Sequence, residues 1–383
     1  MQDAQGRHIL ALLDLPQQRL GRRAEPHLQR LLQQVPHALE QSLLLTLLEP
    51  LDEVAIVAAP GFTDAEHHES LIAHCEHPLR QDRVAILDAP EQVTDVSGLT
   101  RVATAGQPPK PDHGKDGKEE DAGGDGTEGS SPAESPASPA SPGSSGSPAS
   151  PAPSPDTRRQ QSAYRPRQSD YAAFYYPWIV VRDPVSGSLV STPPSGHLAG
   201  VWARTDATRG VHKAPANEPV VGAVDLVRRV SRGEQELLNP AGVNCIRYFP
   251  GEGIRVWGAR TLAAEADPFR YINVRRLTNM LKESIAVGTR WIVFEPNDYT
   301  LWASIRRDIN AFLTNVWRDG ALLGRTPQEA FFVACDAETN PPEVRDAGQV
   351  VTVIGIAPVK PAEFVIFRLM QSADAIEIQG PGA

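Results

Sequence analysis

The last third of the chain most constrains what it can fold into. From Tyr271 to Met370 the apolar residues recur first at helical and then at strand spacing, with little turn-rich filler. Val274, Leu277, Leu281 and Ile285 share one face of a first helix, and Leu301, Ile305, Ile309, Phe312 and Val316 share one face of a second. Asn297 or Asp298 is placed to cap that second helix. A strand is expected between them at Trp291, Ile292, Val293 and Phe294. Two β-prone runs close the module, at 350–356 and 363–370, joined by 357–362. The expected order is helix, strand, helix, strand, strand, strand. In the final run Phe364, Ile366 and Met370 point to one face and Val365, Phe367 and Leu369 to the other. A strand apolar on both faces needs cover on both sides. This dense module offers no visible catalytic set and reads as a building part.

The rest of the chain divides by composition. Residues 1–50 form a Leu/Gln-rich lead, with Leu28, Leu31, Leu32, Val35 and Leu39 at helical spacing between Pro26 and Pro36. The pattern then becomes α/β. A short apolar strand at 54–59 ends at Pro60-Gly61, Thr63 or Asp64 caps a helix running to His77, and a second strand follows at 83–88. Strand, helix, strand at this spacing is a βαβ unit with parallel strands. From 104 to 167 apolar residues nearly vanish and Ser-Pro-Ala repeats appear. Such a segment cannot offset its ordering entropy, so disorder is expected. It reads as a long insertion within one domain, tolerable because loop closure cost grows slowly with length; an interdomain linker is the rival reading. Order resumes with one buried strand at 172–181, a helix starting at Ser195, a helical turn at 234–238, and a hairpin of 244–249 with 254–258 around Pro250 and Gly251. The expected domains are 51–266, carrying the insertion, and 267–371, with a flexible tail at 372–383.

The chain has 383 residues and a net charge of -10, which argues against a nucleic-acid partner. Its three cysteines, Cys75, Cys245 and Cys335, are far apart and form no metal or redox pair. No apolar run reaches the about 20 residues of a membrane span, and the start lacks the pattern of a signal peptide, so a cytoplasmic protein is expected. His67, His68, His74, Cys75 and His77 crowd one helix, but a metal would need further ligands brought from elsewhere. The run 249–258 is glycine-rich, yet Val256 stands where a dinucleotide fingerprint needs glycine. Glu295, Asn297 and Asp298 end the expected strand at 291–294, where α/β enzymes place catalytic groups, though helix capping explains them as well. Asp336, Glu338, Glu343 and Asp346 lack calcium-loop spacing. No catalytic residue, cofactor or metal is assigned.

Several ordered segments carry a resemblance: GVNCIR at 242–247, GEGIRVWGART at 251–261, YINVRRL at 271–277, WIVFEPN at 291–297 and PVKPAEF at 358–364. Together they resemble contractile tail sheath proteins of phages and of phage-tail-like injection systems, over about 51–95 and 171–371. The resemblance implies a subtilisin-like α/β central domain without protease function and an α+β C-terminal domain that exchanges strands with neighbouring subunits. It implies a structural subunit that stacks in hexameric rings around an inner tube, between a baseplate and a terminal cap, and contracts from a metastable state without an ATP site. Phe364, Val365, Ile366, Phe367, Leu369 and Met370 are the expected strand-exchange residues, and removal of 363–370 is expected to abolish polymerisation. The particle would assemble in the cytoplasm. The family's extended N-terminal arm is not recognisable before Leu51, so a truncated or accessory paralogue, pairing with a longer sheath protein, is the first alternative. A hydrolase using His197 and Asp298 on the same scaffold is the second.

Overall fold

Val54–Ala58 (β2), Val84–Asp88 (β3) and Ala172–Tyr176 (β4) are buried at every position. Strands of this kind need a covering layer on each side, as in the middle of a parallel sheet. The computed structural model describes residues 8–11, 45, 48, 51, 54–78, 81–103 and 162–363. These three strands lie at the centre of a seven-stranded sheet. With His8–Ala11 (β1), Glu218–Pro219 (β7), Val243–Phe249 (β9) and Gly253–Trp257 (β10), its order is β1-β2-β3-β4-β9-β10-β7. The first five strands in that order are parallel, and the last two pairings are antiparallel. The expected βαβ unit is β2, Ala65–Glu76 (α1) and β3, and Asp64 caps α1 by accepting from the backbone of His67.

Alternation along β4 divides the core into two layers. Ala172, Phe174 and Tyr176 pack with Leu71, Ile72 and Cys75 of α1, together with Leu99 and Leu238. Ala173 and Tyr175 pack on the opposite face with Leu198, Val201 and Trp202 of Ser195–Arg209 (α2). Leu238 ends Arg232–Leu238 (α3), whose first turn carries a capping box between Ser231 and Glu234. A second, antiparallel sheet of Ile179–Arg182 (β5), Leu189–Thr192 (β6) and Ala223–Leu226 (β8) is ordered β6-β5-β8.

The C-terminal part holds Ile272–Gly288 (α4), Tyr299–Arg318 (α5), Pro327–Ala330 (α6), Phe331–Ala334 (β11), Pro342–Asp346 (α7) and Val353–Ile356 (β12). β11 and β12 pair antiparallel as an isolated two-stranded sheet. Its core gathers Leu277 and Leu281 of α4, Leu301, Trp302, Ile305, Ile309 and Leu313 of α5, and Phe331. Asp298 caps α5 through the backbone N–H groups of Thr300 and Leu301. Ile272, at the start of α4, belongs to the central core instead. One helix thus serves both hydrophobic cores.

The structure corrects five expectations. The run 291–294 is not a strand: Arg290–Ile292 is a single 3-10 turn, and Trp291, Val293 and Phe294 are exposed. Among the described residues it pairs with no strand, so its β-propensity goes unused. The run 172–181 is two strands, divided at the cis Tyr176–Pro177 peptide, and they enter different sheets. In the run 350–356 only β12 is extended with a strand partner; the Asn340 side chain instead takes both the N–H and the C=O of Val351. Residues 8–11, inside the lead expected to be helical, form a strand parallel to β2. Leu28 to Leu39 lie outside the described residues, as does 104–161. Residues 162–167, given to the insertion by composition, belong to the folded body. Arg165 is buried and donates to the carbonyls of Ala241 and Leu262, while Arg167 pairs with Glu69 and Glu76. Val102 and Arg165 bridge in parallel, so the chain leaves and re-enters the fold at one place.

Candidate assembly surface

β11 and β12 present two outer edges that are unpaired with any strand among the described residues. Two-stranded sheets are marginal alone and gain from an added strand. One face of this sheet, Phe331, Val333, Ile354 and Ile356, packs on the C-terminal core. On the other face Phe332 is 57% exposed and Val353 45%. Gly355 sits opposite Phe332, and a Cβ there would overlap the Phe332 ring. The glycine therefore lets the aromatic ring lie flat across the sheet. After β12 the chain runs back towards the central domain. Leu323 donates to the Ala357 carbonyl at 2.7 Å and Val359 to the Ala321 carbonyl at 3.2 Å. Asn273 donates to the Val359 carbonyl at 3.0 Å. Glu363 then receives the Arg260 guanidinium on both oxygens and a hydrogen bond from Tyr271. Phe364, Val365, Ile366, Phe367, Leu369 and Met370 lie outside the described residues.

The chemical candidates fall into structural roles. Asp298 is engaged as the α5 cap, and Asn297 joins Trp302 to the Gln349 carbonyl. His197 stands in the first turns of α2, beside Gly222; among the described residues no hydrogen bond links it to Asp298. Asp336 caps the turn at Glu338 and Thr339. The histidines of α1 diverge. His67 sits against Asp64 and Phe62, His68 is buried edge-on to Phe174, and His74 meets Arg83. Burial holds the His68 imidazole down to about 4 and pushes the Cys75 thiol up to about 12. Among the described residues no three His, Cys, Asp or Glu side chains are grouped to hold a metal. Nor is any helix there long and apolar enough to cross a membrane.

One polar centre escaped the sequence reading. Asp88, at the carboxyl end of β3, accepts from the Ser195 backbone N–H at 2.8 Å and from Ser195 Oγ at 2.6 Å. The Gly61 N–H adds a longer contact of 3.4 Å. Both residues are buried, and α2 has no capping side chain of its own, so Asp88 takes the backbone N–H that opens the helix. Burial nevertheless pushes the Asp88 carboxyl up to about 7, against the lowering effect of its Ser195 and Gly61 hydrogen bonds. A carboxylate at a strand end and a serine opening a helix were both readable, but their juxtaposition was not.

Comparison with known proteins gives this architecture its kinship. The family model of the phage tail sheath protein central domain matches residues 153–262, and that of the phage tail sheath C-terminal domain matches 264–372; together they span more than half of the chain. The tail sheath protein of Vibrio phage KVP40 is 31% identical over 194 residues, which are 49% of this chain and 28% of that protein. That of Enterobacteria phage T4 is 26% identical over 184 residues, 47% of this chain and 27% of the relative. The chain therefore spans less than a third of the length of either relative. The sheath complex of the extracellular contractile injection system PVC, in its contracted state, superposes with a TM-score of 0.64 at 27% identity, covering 87% of this chain and 75% of that one. A chain from the baseplate structure of the anti-feeding prophage AFP superposes with a TM-score of 0.62 at 27% identity, covering 87% and 72%. With both sheath domains matched in order on an α/β central layer and an open-edged C-terminal module, the chain belongs to the phage tail sheath family.

Proposed function

We propose that this chain is a structural sheath subunit of a contractile injection system or phage-like tail. It assembles with copies of itself, or with a longer sheath paralogue, into rings stacked around an inner tube between a baseplate and a terminal cap. Contraction of that lattice drives the tube into a target. The observation that supports this reading is the β11–β12 sheet, whose two outer edges pair with no strand among the described residues, on a module joined to the central domain through α4, which contributes to both cores. Strand addition uses backbone hydrogen bonds for affinity and alternate side chains for fit. Residues 364–370 are the donor in this reading, with Phe364, Ile366 and Met370 on one face and Val365, Phe367 and Leu369 on the other. The subunit comprises a central domain to about 266 and a C-terminal domain from 267, and the particle assembles in the cytoplasm. In this reading its role is structural rather than catalytic. Electron microscopy of particles purified through a tagged copy tests the proposal. The chain is expected in the helical outer layer, and its absence there refutes the reading. Deletion of 364–370 is expected to leave soluble, folded chains that form no tubes.

A further inference from the structure

We infer that Arg260, supported by Tyr271, is a clamp on Glu363 that sets the register in which the C-terminal segment pairs with a neighbouring subunit. The inference rests on the strand-donor reading of 364–370 and deepens it. Its starting point is a gap in that segment's own specification. Strand register is normally enforced because a slip of one residue exchanges the buried and solvent faces. Here the two faces are nearly alike, Phe364, Ile366 and Met370 with Arg368 against Val365, Phe367 and Leu369, so a slip of one residue still buries a largely apolar set and changes chiefly which face carries the arginine. Alternation alone leaves the register weakly defined, and an anchor at the base of the strand must supply it.

Glu363 immediately precedes that strand, and it is the most firmly held residue of the return segment. The Arg260 Nε donates to Glu363 Oε1 at 2.8 Å while Nη2 engages Oε2, a two-pronged pairing that fixes the plane of the carboxylate as well as its distance. The pair is well sheltered, with side-chain exposures of 6% for Arg260 and 14% for Glu363. The guanidinium cannot swing, because Nη1 donates to the Asn239 carbonyl at 2.9 Å. Nor can its backbone shift: Asn244, fully buried in β9, accepts from the Arg260 N–H and donates to the Arg260 carbonyl, both at 2.7 Å. The position of Glu363 is thus referred, through Arg260 and Asn244, to the central sheet. Upstream, Val359 is pinned by Asn273, and Pro361 restricts the residues between the two anchors. A strap anchored at both ends and stiffened by proline delivers residue 364 at a defined place.

The test uses the full-length chain and three variants, each followed by the thermal melt of the soluble protein and by the yield and helical order of sheath tubes. Insertion of one glycine between Glu363 and Phe364 leaves the clamp intact and shifts the strand by one residue. It is expected to cut tube yield by about tenfold or more, as loss of one defined set of strand contacts would, with an unchanged melt. Glu363→Gln leaves the sheltered Arg260 without its carboxylate, so it is expected to melt somewhat below the parent and to give tubes of lower yield and mixed helical order. In the Glu363→Gln background the insertion is expected to add no further loss, since an unclamped strand can slide. Wild-type tubes from the insertion variant, or insertion and Glu363→Gln losses that simply multiply, overturn the clamp. Should Glu363→Gln not fold, the insertion variant alone decides. Wild-type tubes from a chain lacking 364–370 would instead refute the donor reading itself, so the two failures are distinguishable.

Discussion

Ser195 Oγ donates to Asp88 Oδ2 at 2.6 Å across 107 residues of sequence, joining the end of a central strand to the start of a helix on the sheet's face. Burial raises the folded-state pKa of Asp88 from 3.8 to about 7, so the protonated form favours the folded chain. Its contribution to stability is fully present below about pH 4 and is lost as pH rises through about 7, with a slope of at most about 1.4 kcal/mol per pH unit for one proton. Buried His68, held to about 4, acts in the opposite sense below its ordinary 6.5. The informative quantity is therefore the difference between parent and Asp88→Asn. Relative to the parent, the variant should gain stability steadily from pH 4 to pH 7 in urea denaturation series. Parallel profiles would refute the assignment.

Arg276 and Asp206 form a buried, two-pronged ion pair beneath Trp202, with Nη1 to Oδ1 at 2.8 Å and the guanidinium 4.8 Å from the ring. It ties α4 to α2. Asp206→Asn leaves a buried cation without its partner and should cost about 3–5 kcal/mol in denaturant unfolding. Replacing both residues by leucine should recover much of that loss, because the pair's own desolvation is then also removed. A loss below about 1 kcal/mol for Asp206→Asn would contradict this role.

Gly258 packs directly on Asn244. An added Cβ would lie 2.8 Å from the Asn244 Cα, which is backbone and cannot yield easily. Asn244 also holds the Phe174 carbonyl at 3.2 Å and both backbone groups of Arg260. Gly258→Ala should therefore destabilise by about 1–3 kcal/mol. Gly196, in α2 with nothing near its missing Cβ, is the control, and Ala there should be neutral or slightly stabilising. Equal melting temperatures for the two variants would refute the packing argument.

Phe294 has a φ of 72° and a fully exposed ring. A bulky residue in the left-handed region carries strain, which asparagine tolerates better. Phe294→Asn should raise the stability of the soluble chain by about 1 kcal/mol. A lowered melting temperature would show that the ring contributes to the isolated fold after all.

Much of the local structure was legible. Asp64 and Asp298 cap the helices that their side-chain chemistry suggested, and the hairpin of β9 and β10 turns where glycine and proline cluster. Helix periodicity in α4 and α5 identified Val274, Leu277, Leu281, Leu301, Ile305, Ile309 and Val316 as buried, whereas Ile285 and Phe312 are only half-buried and the buried Trp302 and Leu313 were missed. The segment resemblance identified the family. The misses share one cause. The runs at 291–294 and 172–181 have equal claims to strand by propensity, yet the first pairs with no strand among the described residues and the second is divided between two sheets. His8–Ala11 becomes a strand because β2 offers it an edge. The largely apolar character of 364–370 was readable, whereas the pairing of Arg260 with Glu363 just before it was not.

The sequence by itself determined the caps, the periodicities, the composition break after residue 103 and the kinship to sheath proteins, because each depends on neighbours along the chain. Tertiary structure alone decided that Asp88 meets Ser195 and that Arg260 meets Glu363, 103 residues away. Those meetings follow from the order of strands in the sheet and from the path of the returning chain. Residue type states what a carboxylate can bind, but only the closed fold brings one particular partner within hydrogen-bond reach.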